Sequence, residues 1–259
     1  MAAVESAPRR LWSLAREETA VWPTVQQDRL RLARRLARRQ PTAQAFFAGA
    51  AGRWDRLRGE LYGQAFSLVA LLSLLPAEWT VADLGCGTGQ TVAALAPYVR
   101  RVIGVDQSAA MLKAARKRAF GLGNVELRQG SLEALPLDDA SVDGALMVLA
   151  LTYVADPARA IVEMGRVLRP GGRAVVVDLL RHDREEFRRQ MGQHSRGFDP
   201  EDLRTMLGEA GFREASCRLL PPEPQAKGPA LVLAVAARAG RVVEIRKRPV
   251  DARKEEVSR

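Results

Sequence analysis

The 259-residue sequence predicts an α/β fold: a doubly wound, seven-stranded sheet, mostly parallel with an antiparallel final strand, preceded by N-terminal helices. Two observations lead there. After Pro76, short apolar runs alternate with helical patterns at a spacing that fits right-handed crossover connections. The first of those runs also empties into a glycine-rich turn that opens a helix, as happens at the carboxyl edge of an open parallel sheet.

Taken in order, residues 1–40 read as a basic helical lead segment. Leu30, Ala33 and Ala37 recur at helical spacing among the arginines between Arg29 and Arg39. Residues 41–75 follow Pro41-Thr42 as a helical cap or lid carrying Phe46, Phe47, Trp54, Tyr62 and Phe66. Trp54 and Tyr62 either close over a ligand or pack as core, and Pro76 ends the stretch. The main domain spans 76–240. Its first strand covers 81–84 and its first helix 90–96. A second strand over 102–105 feeds a helix over 108–119, with a third strand over 125–128 and a fourth over 144–149. A helix over 157–168 then meets Arg169-Pro170-Gly171-Gly172, a predicted turn, before a fifth strand over 173–178. The last helix covers 200–210 and is closed by Gly211. Residues 215–220 and 230–236 supply a terminal antiparallel pair. The basic tail, 241–259, has no evident packing face.

Composition excludes several classes. A hydrophobic fraction of 47% with 27% charge is ordinary for a globular chain and argues against wholesale disorder. Two cysteines cannot staple a secreted scaffold. The longest apolar run, 68–75, is about half of what a bilayer helix needs, and residues 1–10 lack the apolar core of a signal peptide. A cytoplasmic protein without membrane insertion is expected. The net charge of +10, from 40 basic and 30 acidic residues, is the odd feature. Its excess sits at the two ends, including Arg246-Lys247-Arg248, while 75–177 is nearly balanced, so no basic groove for nucleic acid is implied.

Val81-Ala82-Asp83-Leu84-Gly85-Cys86-Gly87-Thr88-Gly89-Gln90 carries the chemistry. A loop without β-carbons lets a ligand approach the backbone at the end of the first strand, beside the topological switch point. A dinucleotide or S-adenosylmethionine fits such a place. The dinucleotide fingerprint wants its third glycine where Gln90 stands. Asp83 would repel a pyrophosphate, yet it can accept hydrogen bonds from an ammonium. S-adenosylmethionine, cationic and without phosphate, suits the loop better. Asp106, ending the second strand, either caps the following helix or accepts the ribose hydroxyls of an adenosine. Cys86 reads as a small loop residue rather than a catalytic thiol.

The segment 81–89 resembles the first motif of class I S-adenosylmethionine-dependent methyltransferases, of the type 11 kind, with a Rossmann-like sheet. Matching segments follow in order: Val105-Asp106-Gln107-Ser108, Gly130-Ser131-Leu132-Glu133-Ala134-Leu135-Pro136-Leu137, Ser141-Val142-Asp143, and Arg166-Val167-Leu168-Arg169-Pro170-Gly171-Gly172. The resemblance implies that Gly85, Cys86 and Gly87 meet the methionine part with Asp83 nearby, and that Asp106 holds the ribose. It implies further that Gln107 and Met111 flank the adenine, that Ser131 stands where family members often carry an acid for the adenine amino group, and that Leu132 offers its backbone to the ring. Leu149 and Ala150 would lie beside the sulfonium. Phe46-Phe47 with Trp54-Asp55-Arg56-Leu57-Arg58, and the later segments 178–183 and 226–230, resemble the methyltransferase half of bacterial proteins fused to an arsenical-repressor-type winged helix. Too few residues precede the basic helix for a winged helix, so DNA binding does not carry over.

Methyl transfer from a sulfonium is an in-line displacement on an activated carbon, and it asks chiefly for alignment and exclusion of water. A general base is needed only for a protonated acceptor. His182 and His194, after the fifth strand, and Tyr153, after the fourth, are the candidate catalytic groups; each also reads as a loop or packing residue. No metal site is expected, since two histidines and two cysteines lie scattered without ligand spacing. The expected function is methyl transfer to a small-molecule acceptor, with a homodimer as a possible assembly. The alternative is a module that senses S-adenosylmethionine or its product without turnover. A nucleic-acid methyltransferase is disfavoured, because 149–153 lacks the Asn/Asp-Pro-Pro-aromatic type of loop.

Overall fold

The computed structural model describes residues 7–39, 47, 51–63, 65–223 and 225–240. Phe46, the Pro41-Thr42 break and the basic tail 241–259 lie outside the described residues. The chain divides into two units, Met1–Ser67 and Leu68–Arg259.

In the first unit, α1 (Ala7–Thr19) and α2 (Pro23–Arg39) are joined by a tight turn in which the Trp22 N–H donates to the Thr19 carbonyl at 3.1 Å. Pro23 at the first position of α2 suits the fixed φ of proline and a helix start that needs no donor there. Helix α3 (Trp54–Tyr62) ends at Gly63, and α4 (Phe66–Leu72) spans the division between the units. Within the first unit, Phe47 meets Trp54 edge-on at 5.0 Å, and Arg58 lies over the Phe66 ring at 5.1 Å.

The second unit holds the seven-stranded sheet. Its elements are β1 (Thr80–Leu84), α5 (Gln90–Leu95), β2 (Arg101–Asp106), α6 (Ala109–Arg118), β3 (Val125–Gln129), β4 (Val142–Val148), α7 (Pro157–Val167), β5 (Leu168–Leu179), α8 (Glu185–Met191), α9 (Pro200–Glu209), β6 (Phe212–Leu219) and β7 (Leu231–Arg238). The strand order is β3-β2-β1-β4-β5-β7-β6. All pairings up to β5 are parallel; β7 runs antiparallel between β5 and β6. The order reverses between β1 and β4, which opens a crevice at their carboxyl ends.

Alternation along the strands sends successive side chains to two cores. Ala82, Leu84, Ile103, Val105, Ala145 and Met147 face one way, against Ile161 and Met164 of α7 and Leu203 and Leu207 of α9. Val81 and Val102 face the other way, against Val92 and Leu95 of α5 and Leu112 of α6. Burial on both faces is why β1 reads as an unbroken apolar run apart from Asp83.

Three details depart from expectation. Residues 169–172, expected as a turn, lie inside β5: Leu168 pairs with Val142 and Arg173 with Gly144, so the extra residues are absorbed as an irregularity with Gly171 at φ +80°. Strand β4 stops one residue before Leu149, whose φ of +52° bends the chain out of the sheet. Helix α8 was not anticipated, being one charged stretch of seven residues without an apolar stripe.

Candidate active site

The glycine loop is folded back onto β2 by backbone bonds. The Gly85 and Cys86 N–H groups both donate to the Val105 carbonyl, at 2.8 and 3.0 Å, and the Gly89 N–H donates to the Cys86 carbonyl at 2.8 Å. Gly85 takes a φ of +80°, and a Cβ there would sit 2.5 Å from that of Ala150. Glycine is thus required by conformation and by the close approach of the loop after β4. The side chain of Leu132 borders the same spot, so Gly85, Leu132 and Ala150 converge at the crevice.

Asp106 ties this loop down. One of its carboxylate oxygens accepts from the Gly87 N–H and the other from the Ser108 N–H, each at 2.8 Å. The cap of α6 is Ser108, whose hydroxyl accepts from the Met111 N–H at 3.3 Å, so Asp106 does not fill the capping role. Each carboxylate oxygen keeps a free lone-pair site for a further donor. Gln107 and Met111 are exposed beside it. The Ser131 hydroxyl accepts from the Glu133 N–H at 3.1 Å within its own turn.

Asp83 is only 2% exposed. Burial first, and the neighbouring charge of Asp106 second, push its carboxyl up to about 7, with no hydrogen bond opposing them. A buried carboxylate without a donor is costly, and an incoming cation removes that cost. Burial, followed by the charges of Asp83 and Asp106, also pushes the Cys86 thiol up to about 12, so it remains a neutral thiol and no nucleophile. This loop disfavours an anion and suits a cation.

Across the crevice, Asp178 at the end of β5 is fully buried and accepts from the Leu151, Thr152 and Leu179 N–H groups at 2.8, 3.2 and 2.7 Å. Burial raises its carboxyl, and these backbone donors work against that rise. The turn after β4 is thereby pinned with Leu149 in its left-handed conformation, its N–H donating to the Val177 carbonyl at 2.7 Å. From Leu149 a cavity of about 700 Å³ extends past Tyr153 and Leu179 to α8, Gln193 and the β6–β7 connection.

The candidate catalytic residues separate here. Tyr153 lines the cavity and neither histidine does. His182 packs edge-on against Phe187 at 5.8 Å, its Nδ1 accepting from the Arg184 N–H at 3.2 Å. Burial, then Arg184, hold its imidazole below the ordinary value. His194 is exposed, its N–H donating to the Thr152 carbonyl at 2.9 Å. Sequence reasoning missed Asp178 as an organiser, and Gln193 and α8 as cavity walls; only Gly192, the left-handed cap of α8, marks that helix in the sequence. Among the described residues no group of three or more His, Cys, Asp or Glu is placed to hold a metal ion, and no helix is long and apolar enough to cross a membrane.

Comparison with known proteins gives the following likenesses. Residues 82–176 match the family model described as a methyltransferase domain. An uncharacterized methyltransferase of Mycobacterium tuberculosis is 38% identical over 165 residues, which is 63% of this chain and 64% of that protein. The O-methyltransferase cnsE of Penicillium expansum is 31% identical over 164 residues, 60% of this chain and 59% of that one. The chain spans 28% to 64% of the length of the curated relatives it matches. Among solved structures, a SAM-dependent methyltransferase from Thermotoga maritima superimposes with a TM-score of 0.52 at 29% identity, covering 74% of this chain and 98% of that one. Residues 82–176 are thus similar in sequence to a methyltransferase domain, and they lie in a seven-stranded, mostly parallel sheet like that of the solved methyltransferase structure.

Proposed function

We propose that the chain moves the methyl group of S-adenosylmethionine to a nucleophilic atom of a small-molecule acceptor. The observation that carries this reading is Asp83, a buried carboxylate without an internal donor at the mouth of a glycine loop, in a domain that matches methyltransferases. S-adenosylmethionine fits the residues present. Its ammonium answers Asp83, its ribose hydroxyls meet the open lone pairs of Asp106, and it brings no phosphate into a site holding two carboxylates.

When bound, that group supplies a methyl already activated on a sulfonium, so the protein's share is alignment and dryness. Gly85, Cys86 and Gly87 present backbone along the methionine part. Gln107, Met111, Ser131 and the Leu132 backbone surround the adenine. Leu149 separates this crevice from the cavity, which we assign to the acceptor. Tyr153 orients the acceptor there, whereas His182 and His194 stand off the cavity lining and are given no step. The likeness of Trp54–Arg58 to arsenical-repressor-type fusion proteins suggests a shared ancestry and adds no role in DNA binding.

Incubating the protein with S-adenosylmethionine labelled in its methyl group, together with a metabolite extract, tests the reading. Label is expected to move to a small molecule. Tight binding of S-adenosylmethionine without transfer to any acceptor would replace the enzyme with a sensor, and absence of binding would remove both.

A further inference from the structure

Resting on the methyl-transfer reading, the cavity beside Leu149 defines its acceptor more narrowly. Its volume of about 700 Å³ suits a drug-sized molecule. Its apolar lining includes Leu149, Leu179, Phe187, Met191 and Leu231, with Tyr153 alongside. In a chain of net charge +10, no lysine, arginine or histidine among the described residues lines the cavity. Among the described residues its one charged lining residue, Glu223, is exposed. An anionic acceptor would lose its hydration inside and find no counter-charge.

Besides the fully buried Thr152, Gln193 breaks the apolar lining. It is 7% exposed, its Nε2 donates to the Tyr153 hydroxyl over a long 3.5 Å, and its Oε1 is buried without a partner among the described residues. An unmade bond at such an atom carries a desolvation penalty that a ligand can lift. Turning the carboxamide over would leave the N–H end free instead. A hydroxyl answers either end, donating to the oxygen or accepting from the nitrogen. An ether can answer only the nitrogen, and a methyl neither end.

We infer that the acceptor is an uncharged, largely apolar molecule carrying a hydroxyl group, and that the free end of the Gln193 carboxamide binds this hydroxyl. Gln193 thereby sets specificity by rejecting acceptors that leave it unpaired.

Equilibrium dialysis of the full chain, with and without S-adenosylhomocysteine, against three probes on one naphthalene frame tests the inference: 2-naphthol, 2-methylnaphthalene and naphthalene-2-sulfonate. The naphthol is expected to bind about tenfold more tightly than either of the others, the scale of one net hydrogen bond in an apolar site. Gln193→Leu should shrink the naphthol preference over the methyl compound to about twofold or less, with the fold checked by thermal melting. Should that variant not fold, Gln193→Met reads the same ratio. Equal binding of naphthol and its methyl isostere, binding of the sulfonate as tight as the naphthol, no naphthol binding at all, or a preference that survives the substitution would each overturn the inference. Calorimetry with S-adenosylhomocysteine alone separates the two levels. Its failure sinks the methyl-transfer reading, whereas the probe ratios measured without it still judge the cavity.

Discussion

Asp83→Asn should stabilise the ligand-free protein, and more so as pH rises. The carboxyl stands at about 7 in the folded chain against an ordinary value of 3.8, because it is buried and faces Asp106. A carboxyl raised on folding favours the folded state fully below its unfolded value, and that favour is lost as pH climbs through the folded value. Between pH 4 and 7 the folded chain therefore holds a proton that the unfolded chain has released. About three pH units at about 1.4 kcal/mol each set a scale of roughly 4 kcal/mol for the charge penalty above neutrality. At pH 5 only roughly 1–2 kcal/mol of it has developed. Asparagine keeps the shape and removes the titration, but it leaves a polar amide to bury, so the absolute gain is smaller than the full penalty. The difference between pH values is the diagnostic quantity. In urea denaturation the stability of the variant minus that of the natural protein should widen by roughly 2–3 kcal/mol from pH 5 to pH 8. A gap of the same size at both pH values would refute the reasoning, since it would mean that Asp83 does not titrate near neutrality.

The same carboxyl predicts that affinity for S-adenosylhomocysteine, measured by calorimetry, climbs by up to about tenfold per pH unit below pH 7 and then levels; Asp83→Asn should flatten that profile. Asp106→Ala removes the acceptor of the Gly87 and Ser108 N–H groups as well as the ribose partner. It should weaken that binding by about 1–3 kcal/mol, and unchanged affinity with the fold intact would contradict the ribose assignment. Gly85→Ala forces a Cβ to within 2.5 Å of the Ala150 Cβ, whereas Gly87→Ala meets open space at a comparable left-handed φ. The first should cost about 1–3 kcal/mol more than the second in thermal or urea unfolding, and equal losses would show that the close approach to Ala150 does not matter.

The sheet was legible because its central strands are mostly apolar runs punctuated by glycine and proline, and Val81, Ala82 and Leu84 are buried on both faces. The cofactor side was legible for a related reason: Asp83, Gly85 and Asp106 sit within one strand–turn–helix and the strand next to it, so sequence spacing translates directly into position. The acceptor side does not share that property. Gln193 and Tyr153 come from two connections and Leu231 from the start of β7, and only tertiary packing brings them to one cavity. Asp178 read as the last residue of a strand; that it clamps the turn after β4 depends on a parallel neighbour that one sequence does not reveal. The expected turn at 169–172 failed for a local reason. Proline and two glycines signal a break, and here they mark an irregular opening of a strand instead.

The far wall of the cavity hangs from the hairpin that closes the chain's last pair of strands. Pro221, Pro222 and Pro229 stiffen that link, which leaves the edge strand of the sheet and lies outside residues 82–176, the span matched by the methyltransferase domain model. Lengthening, shortening or recolouring it disturbs neither the glycine turn nor the central strands. Evolution can therefore exchange what this architecture accepts much as a lock is re-keyed, by refitting one removable face while the mechanism behind it stays in place.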